Sequence, residues 1–123
     1  MTIESSRAEI SRFRSAAAAG TVKFEPEAAR RCADLYEQQA DQLAQLRQRL
    51  ETASEAGGFG GFVSAQQLQA GFAHKARDAA ELLDHYIAAA LRMKEAFLLS
   101  GGLFDEADAA AAAALRAVET RMR

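Results

Sequence analysis

Proline occurs once in these 123 residues, cysteine once, and tryptophan not at all. A chain with a single proline carries almost nothing that forbids helix. The lone cysteine, Cys32, excludes an intramolecular disulfide and a cysteine metal cluster. Histidine occurs twice, at His74 and His85. On a helix those two point the same way but stand about 16 Å apart along the axis, too far to share a metal or a proton relay. No apolar run approaches the roughly 20 residues of a membrane helix, so no stable membrane insertion is expected. A basic excess is missing as well. Fifteen Lys and Arg stand against seventeen Asp and Glu, a net charge of −2, and Arg7, Arg12, Arg14, Arg30, Arg31, Arg47 and Arg49 are scattered among acids. This is no nucleic-acid binder's charge pattern. Met1 to Arg7 lacks a basic start followed by an apolar stretch, so an ordinary signal peptide is not expected. The expected location is the cytoplasm, or outside the cell by a route that reads another signal.

What the chain has instead is helix. Half its residues are hydrophobic, and many of those are alanine, the best helix former because it loses no side-chain entropy. Four helical segments are expected. The first runs from about Glu4 to Ala19, with Ile3, Ile10, Phe13 and Ala17 on one face, and Gly20 ends it. Thr21 to Phe24 forms an extended connector, its Val22 and Phe24 alternating toward the core. The second segment opens at Pro26, a residue suited to the first helical position, with Glu25 and Glu27 favoured by the helix dipole. A heptad pattern follows: Ala29, Tyr36, Leu43 and Leu50 on one seam position, Cys32, Gln39, Leu46 and Ala53 on the other. Glu37, Gln38, Asp41, Gln45, Arg47 and Gln48 are placed on the outside.

Gly57-Gly58-Phe59-Gly60-Gly61-Phe62 breaks the pattern, and its two phenylalanines are expected to fold back onto the helix ends. A third segment starts at Ser64, where Ser64 and Gln67 match a capping box. Its apolar row is Leu68, Phe72, Ala76, Ala79, Leu83, Tyr86, Ala90, Met93 and Phe97, widened by Leu82, Ile87, Leu91 and Leu98. It ends at Ser100-Gly101-Gly102. The last segment, Leu103 to Arg123, is rich in alanine and thin in large side chains, so partial docking or fraying is expected.

The fold expected is all-α and a single domain, 1–123. A long antiparallel hairpin (25–100) carries an extra N-terminal helix (1–20) and a C-terminal helix (103–123). The two central helices, roughly 45–54 Å long, have wide apolar stripes, so completion as a four-helix bundle by dimerisation is expected. The predicted seam and interface residues are Tyr36, Leu43, Leu46, Leu50, Phe72, Leu83, Tyr86, Met93 and Phe97.

Catalytic patterns are absent. A helical di-iron site needs Glu-x-x-His, whereas Glu81 lies four residues before His85. Cys32 falls on the seam, where a cysteine behaves as a small hydrophobe. Gly57 to Gly61 follows a helix rather than a strand and has no lysine after it until Lys75, unlike a phosphate loop. The expectation is a protein that is not an enzyme and takes no cofactor or metal.

A helix, a short loop with an aromatic-x-Gly element and a second helix of similar length resemble the WXG-type, early-secreted-antigen-like hairpins of actinobacterial type VII secretion. Here Phe59-Gly60-Gly61 stands for the family's Trp-x-Gly. Phe104-Asp105-Glu106-Ala107-Asp108 stands where the family carries its Tyr-x-x-x-Asp/Glu export signal, just beyond the second helix. The stretch from Gly58 to Leu68 is also similar to actinobacterial relatives. The resemblance covers roughly residues 25–110, with Phe replacing the expected aromatic in both motifs. It implies a small protein that is exported or accompanies an exported one and works by protein–protein binding. Phe104 and Asp108 would meet the secretion ATPase, and the hairpin faces would hold a second copy or a related hairpin. The alternative is a cytosolic helical adaptor or regulator that is never exported.

Overall fold

The computed structural model describes residues 3–55 and 60–119. Those residues form four helices, α1 (Ile3–Ala18), α2 (Pro26–Ser54), α3 (Val63–Ser100) and α4 (Phe104–Glu119), and no strand. Phe59 and the expected continuation of the last helix to Arg123 lie outside the described residues.

Helix boundaries follow local chemistry. Gly20 has φ +80°, and the N–H groups of Gly20 and Thr21 bond the carbonyls of Ala17 and Ala16. This is the Schellman closure that glycine permits because a left-handed residue has no Cβ to clash. The same closure recurs after α3, where Gly102 has φ +75° and Gly102 and Leu103 bond back to Leu99 and Leu98. Its neighbour Gly101 has an ordinary φ of −90° and is small for another reason. A Cβ there would lie 2.5 Å from the Cβ of Ala29, so the end of α3 meets the start of α2 only because the position is glycine. Pro26 opens α2. The start of α3 departs from expectation: Phe62 caps it, with no side-chain cap bond, and the helix begins at Val63. The Ser64–Gln67 box is not used, because both residues already lie inside the helix. Phe62 is 80% exposed and does not fold back onto the helix ends.

Helix α3 is the axis of the molecule. Among the described residues, helix α3 approaches each of the other helices closely, while those three do not approach one another in the same way. Contacts give the directions. Arg47 meets Asp84 and Glu37 meets Lys94, so α2 runs antiparallel to α3. Arg7 meets His85 and Arg14 meets Glu95, so α1 runs parallel to it. Ala107 and Ala110 cluster with Leu98, whereas Ala114 clusters with Ala90 and Leu91, so α4 runs antiparallel. All of these contacts fall on the C-terminal half of α3. We call that half the base, and the part of α2 and α3 toward residues 50 and 65 the stem.

Alanine is the packing unit. Ala29, Ala33, Ala96, Ala107, Ala110 and Ala114 are each at most 2% exposed, and among the described residues Leu98 is the one large side chain buried to that degree. Small side chains let helix axes come close and put backbone against backbone. Of the two rows the heptad predicted on α2, the first lies inside, with Ala29 buried and Tyr36, Leu43 and Leu50 half-buried. The second is displaced: Ala33 and Ala40 are buried, whereas Gln39 and Leu46 are exposed and Cys32 is half-buried. This second buried row lies one residue on from the predicted one and continues to Arg47, which had been placed outside. On α3 the buried row in the stem runs through Ala76, Ala80 and Asp84. Ala76 belongs to the predicted row, whereas Phe72 and Tyr86 of that row lie to its side, 47% and 44% exposed.

The last helix is docked by Ala107, Ala110 and Ala114, all buried. Its alanine run, in place of large side chains, lets it lie close against α3.

Candidate partner-binding surfaces

Phe104 is the first residue of α4 and directly follows the Schellman turn. Its ring is 59% exposed, and Asp108, one helical turn later, is exposed as well. Residues four apart share a helix face, so an aromatic ring and a carboxylate stand together at the base. The buried alanine row holds α4 beneath them. Glu106 fastens the same turn to α2 through Arg30, 2.7 Å away. That hydrogen bond holds the Glu106 carboxyl below the ordinary carboxylate range and raises the Arg30 guanidinium. Phe104 also borders a shallow hollow of about 250 Å³ shared with Val22, Phe24 and Leu99.

The connector before α2 is pinned to this end. The Phe24 N–H donates to the Ser100 carbonyl at 2.8 Å. Phe97 is the hub of an aromatic cluster: Phe13 meets it edge-on at 5.0 Å, Tyr36 stacks on it at 5.8 Å and Phe24 lies 5.9 Å away. Aromatic pairs of this kind add about 0.5–1.5 kcal/mol beyond their buried area. The cluster sets α1, the connector and α2 around one ring.

Below the hub, α1 and α2 leave a groove of about 430 Å³ floored by α3. Ile10, Phe13, Tyr36, Leu43, Tyr86 and Met93 line it, with Glu9 and Gln39 contributing polar edges. Four residues predicted as seam or interface, Tyr36, Leu43, Tyr86 and Met93, are thus brought together here, with Phe97 at the head. Leu50 and Leu83 are half-buried farther along. Leu46 and Phe72 are separated from this group and exposed. With Leu68 (63%) and Leu82 (47%), they leave the stem rich in accessible apolar surface. Of the loop motif, Gly60 has φ +96° and Gly61 is exposed.

Charged groups inside the helix pairs are what pattern reading missed. Asp84 is 4% exposed and receives Arg47 through Nε at 2.5 Å and Nη2 at 3.3 Å. Arg47 also pairs with Glu51. The hydrogen bond that Arg47 donates to Asp84 raises the guanidinium's pKa above its already high value. Glu95, 7% exposed, pairs with Arg14 at 2.8 Å and Arg92 at 2.9 Å. The available signal was an acid set within the apolar positions of α3: a carboxylate there requires a cation from a facing helix. His74 lies 3.4 Å from Asp78 on the stem surface, and His85 meets Arg7 in the base.

Among the described residues, no helix is long and apolar enough to cross a membrane. No family model, curated protein or solved structure matches the chain.

Proposed function

We propose that this chain is a non-enzymatic helical-hairpin protein of the kind type VII secretion systems export, or a partner of such a substrate, acting by protein–protein binding. One observation carries the reading. Phe104 and Asp108 stand exposed one turn apart on a helix that starts right after the long α3, while buried alanines hold that helix in place. An aromatic ring and a carboxylate on a rigid helix face suit recognition by an export ATPase, because the helix fixes their spacing before binding. In this reading α2 and α3 are the two arms of the hairpin. The apolar stem residues Leu46, Phe72 and Leu82 take a second hairpin, from another copy or a related chain, to make a four-helix bundle.

The test is a secretion assay in an actinobacterial host. Tagged protein is followed in culture filtrate and lysate, with and without the type VII ATPase, beside Phe104→Ala/Asp108→Ala. Filtrate protein that disappears in both controls supports export through this pair. Protein confined to the lysate of a host that exports its own substrates replaces the proposal with a cytosolic adaptor, provided co-expression of related hairpins restores no export. Light scattering tests the pairing separately: a mass twice that of one chain, falling to one chain in Leu46→Asp, is the expected result.

A further inference from the structure

The side of α1 that faces α4 carries a different chemistry from the aromatic groove. Arg7 and Arg14 are seven residues apart on α1 and so share a face. His85 and Arg92 stand in the same relation on α3, which runs parallel to α1. The two rows meet rung to rung. Arg7 Nη2 bonds His85 Nδ1, and Arg14 and Arg92 both reach Glu95. The rungs lie roughly 10 Å apart along the axes. Between them is a groove of about 390 Å³, floored by Ala88 and Ala89 with Val118 of α4 on its far wall. Alanine at both floor positions keeps it open.

The charges in this groove do not cancel. Three guanidiniums against the one carboxylate of Glu95 leave two positive charges, in a chain whose net charge is −2. Arg7 meets no carboxylate among the described residues. A guanidinium only donates, so in this contact the His85 ring accepts at Nδ1. Glu95 lies 7% exposed beneath Arg14 and Arg92. It takes a single N–H from Arg92, although each guanidinium carries five. The donors are thus held in place from below and left available from above, the arrangement that recognises planar or tetrahedral oxyanions.

We infer that this groove binds a small ligand with two oxyanion groups, phosphate or carboxylate, one toward each rung, its middle spanning Ala88 and Ala89. The inference stands apart from the export reading, since it uses none of the same residues. It is tested on the full chain by amide NMR titration at matched ionic strength with three probes: inorganic tripolyphosphate, adipate and inorganic phosphate. The expected result is localised, saturable shifts at Ser11, Ala88 and Ala89 with tripolyphosphate or adipate, whichever oxyanion is preferred. Inorganic phosphate, which reaches one rung only, should bind at least about tenfold more weakly. Arg7→Gln and Arg92→Gln should each weaken binding about tenfold without changing the helical melting curve. Shifts that are absent, spread over the whole surface, or unchanged in both variants would overturn the inference. If Arg92→Gln unfolds the chain, Arg7→Gln alone decides, since Arg7 makes no contact with buried Glu95.

Discussion

The two halves of α3 belong to one continuous helix and have opposite surroundings. From about His85 to Ser100 the helix is enclosed on three sides by α1, α2 and α4, and Ala90, Leu91, Glu95, Ala96, Leu98 and Ser100 are all buried. From Val63 to Leu83 it buries only Ala76 and Ala80, while Val63 is 70% and Leu68 63% exposed. Composition follows the contrast in part, since large apolar residues are 5 of the 21 in 63–83 and 7 of the 16 in 85–100. The lengths of the neighbours act beside it. Helices α1 and α4 have 16 residues each, against 38 in α3, so they cover one half and leave the other beside α2 alone. Apolar surface that is dispensable for the fold is therefore concentrated in the stem, whereas the base spends its apolar residues on packing.

That contrast is broken most severely at Leu98. Leu98→Ala should cost about 2–5 kcal/mol, whereas Leu68→Ala in the stem should stay within about 0.5 kcal/mol. Chemical denaturation of the two variants checks this, and equal losses would erase the distinction. Next comes the ion pair where stem and base join. Arg47→Ala leaves Asp84 buried without its cation, at a cost of about 2–4 kcal/mol, reduced from the fully buried case because Arg47 is partly exposed. The double variant Arg47→Met/Asp84→Leu should recover most of that loss. Gly101→Ala should cost about 1–3 kcal/mol, because the new methyl must displace Ala29 or move α2. Gly61→Ala, with open space around its Cβ position, should be nearly neutral. Hydrogen exchange should be faster for amides 66–80 than for amides 86–100, since local opening in the stem exposes less buried surface.

The smallest effect expected is on pH. Because Arg30 holds the Glu106 carboxyl below its ordinary range, the pair helps dock α4 at neutral pH. That help is lost progressively as acid protonates Glu106, through and below the ordinary carboxylate range. Glu106→Gln should flatten this part of the acid titration of α4 docking, read from the amide signals of Ala107 and Ala110.

Much of the fold was legible as local chemistry. Pro26, Gly20 and Gly101-Gly102 marked boundaries that the structure places within a residue or two, because starts and stops depend on φ, N–H supply and the absence of a Cβ. Phe104 and Asp108 were singled out as a pair only by the family resemblance, and their exposure follows from the alanine row beside them. The buried rows of α2 and α3 were legible in part. Ala29, Ala76 and Ala90 stood on the predicted rows and are buried, but heptad reading gives weight to large side chains and so chose Leu46 and Phe72 over Ala33, Ala40 and Ala80. In this protein the small residues face inward, because close approach between helices outweighs the burial of any one large side chain.

The sequence by itself determined four helices, their punctuation and the absence of strand among the described residues, since alanine content and glycine placement act within a few residues. Tertiary structure alone decided that α2 buries Ala33 and Ala40 rather than Gln39 and Leu46, that Arg47 turns inward to Asp84, and that Arg7, Arg14 and Arg92 gather on one groove. Those outcomes depend on how far three helices of unequal length extend along a fourth, and helix lengths and crossings are properties of the assembled molecule.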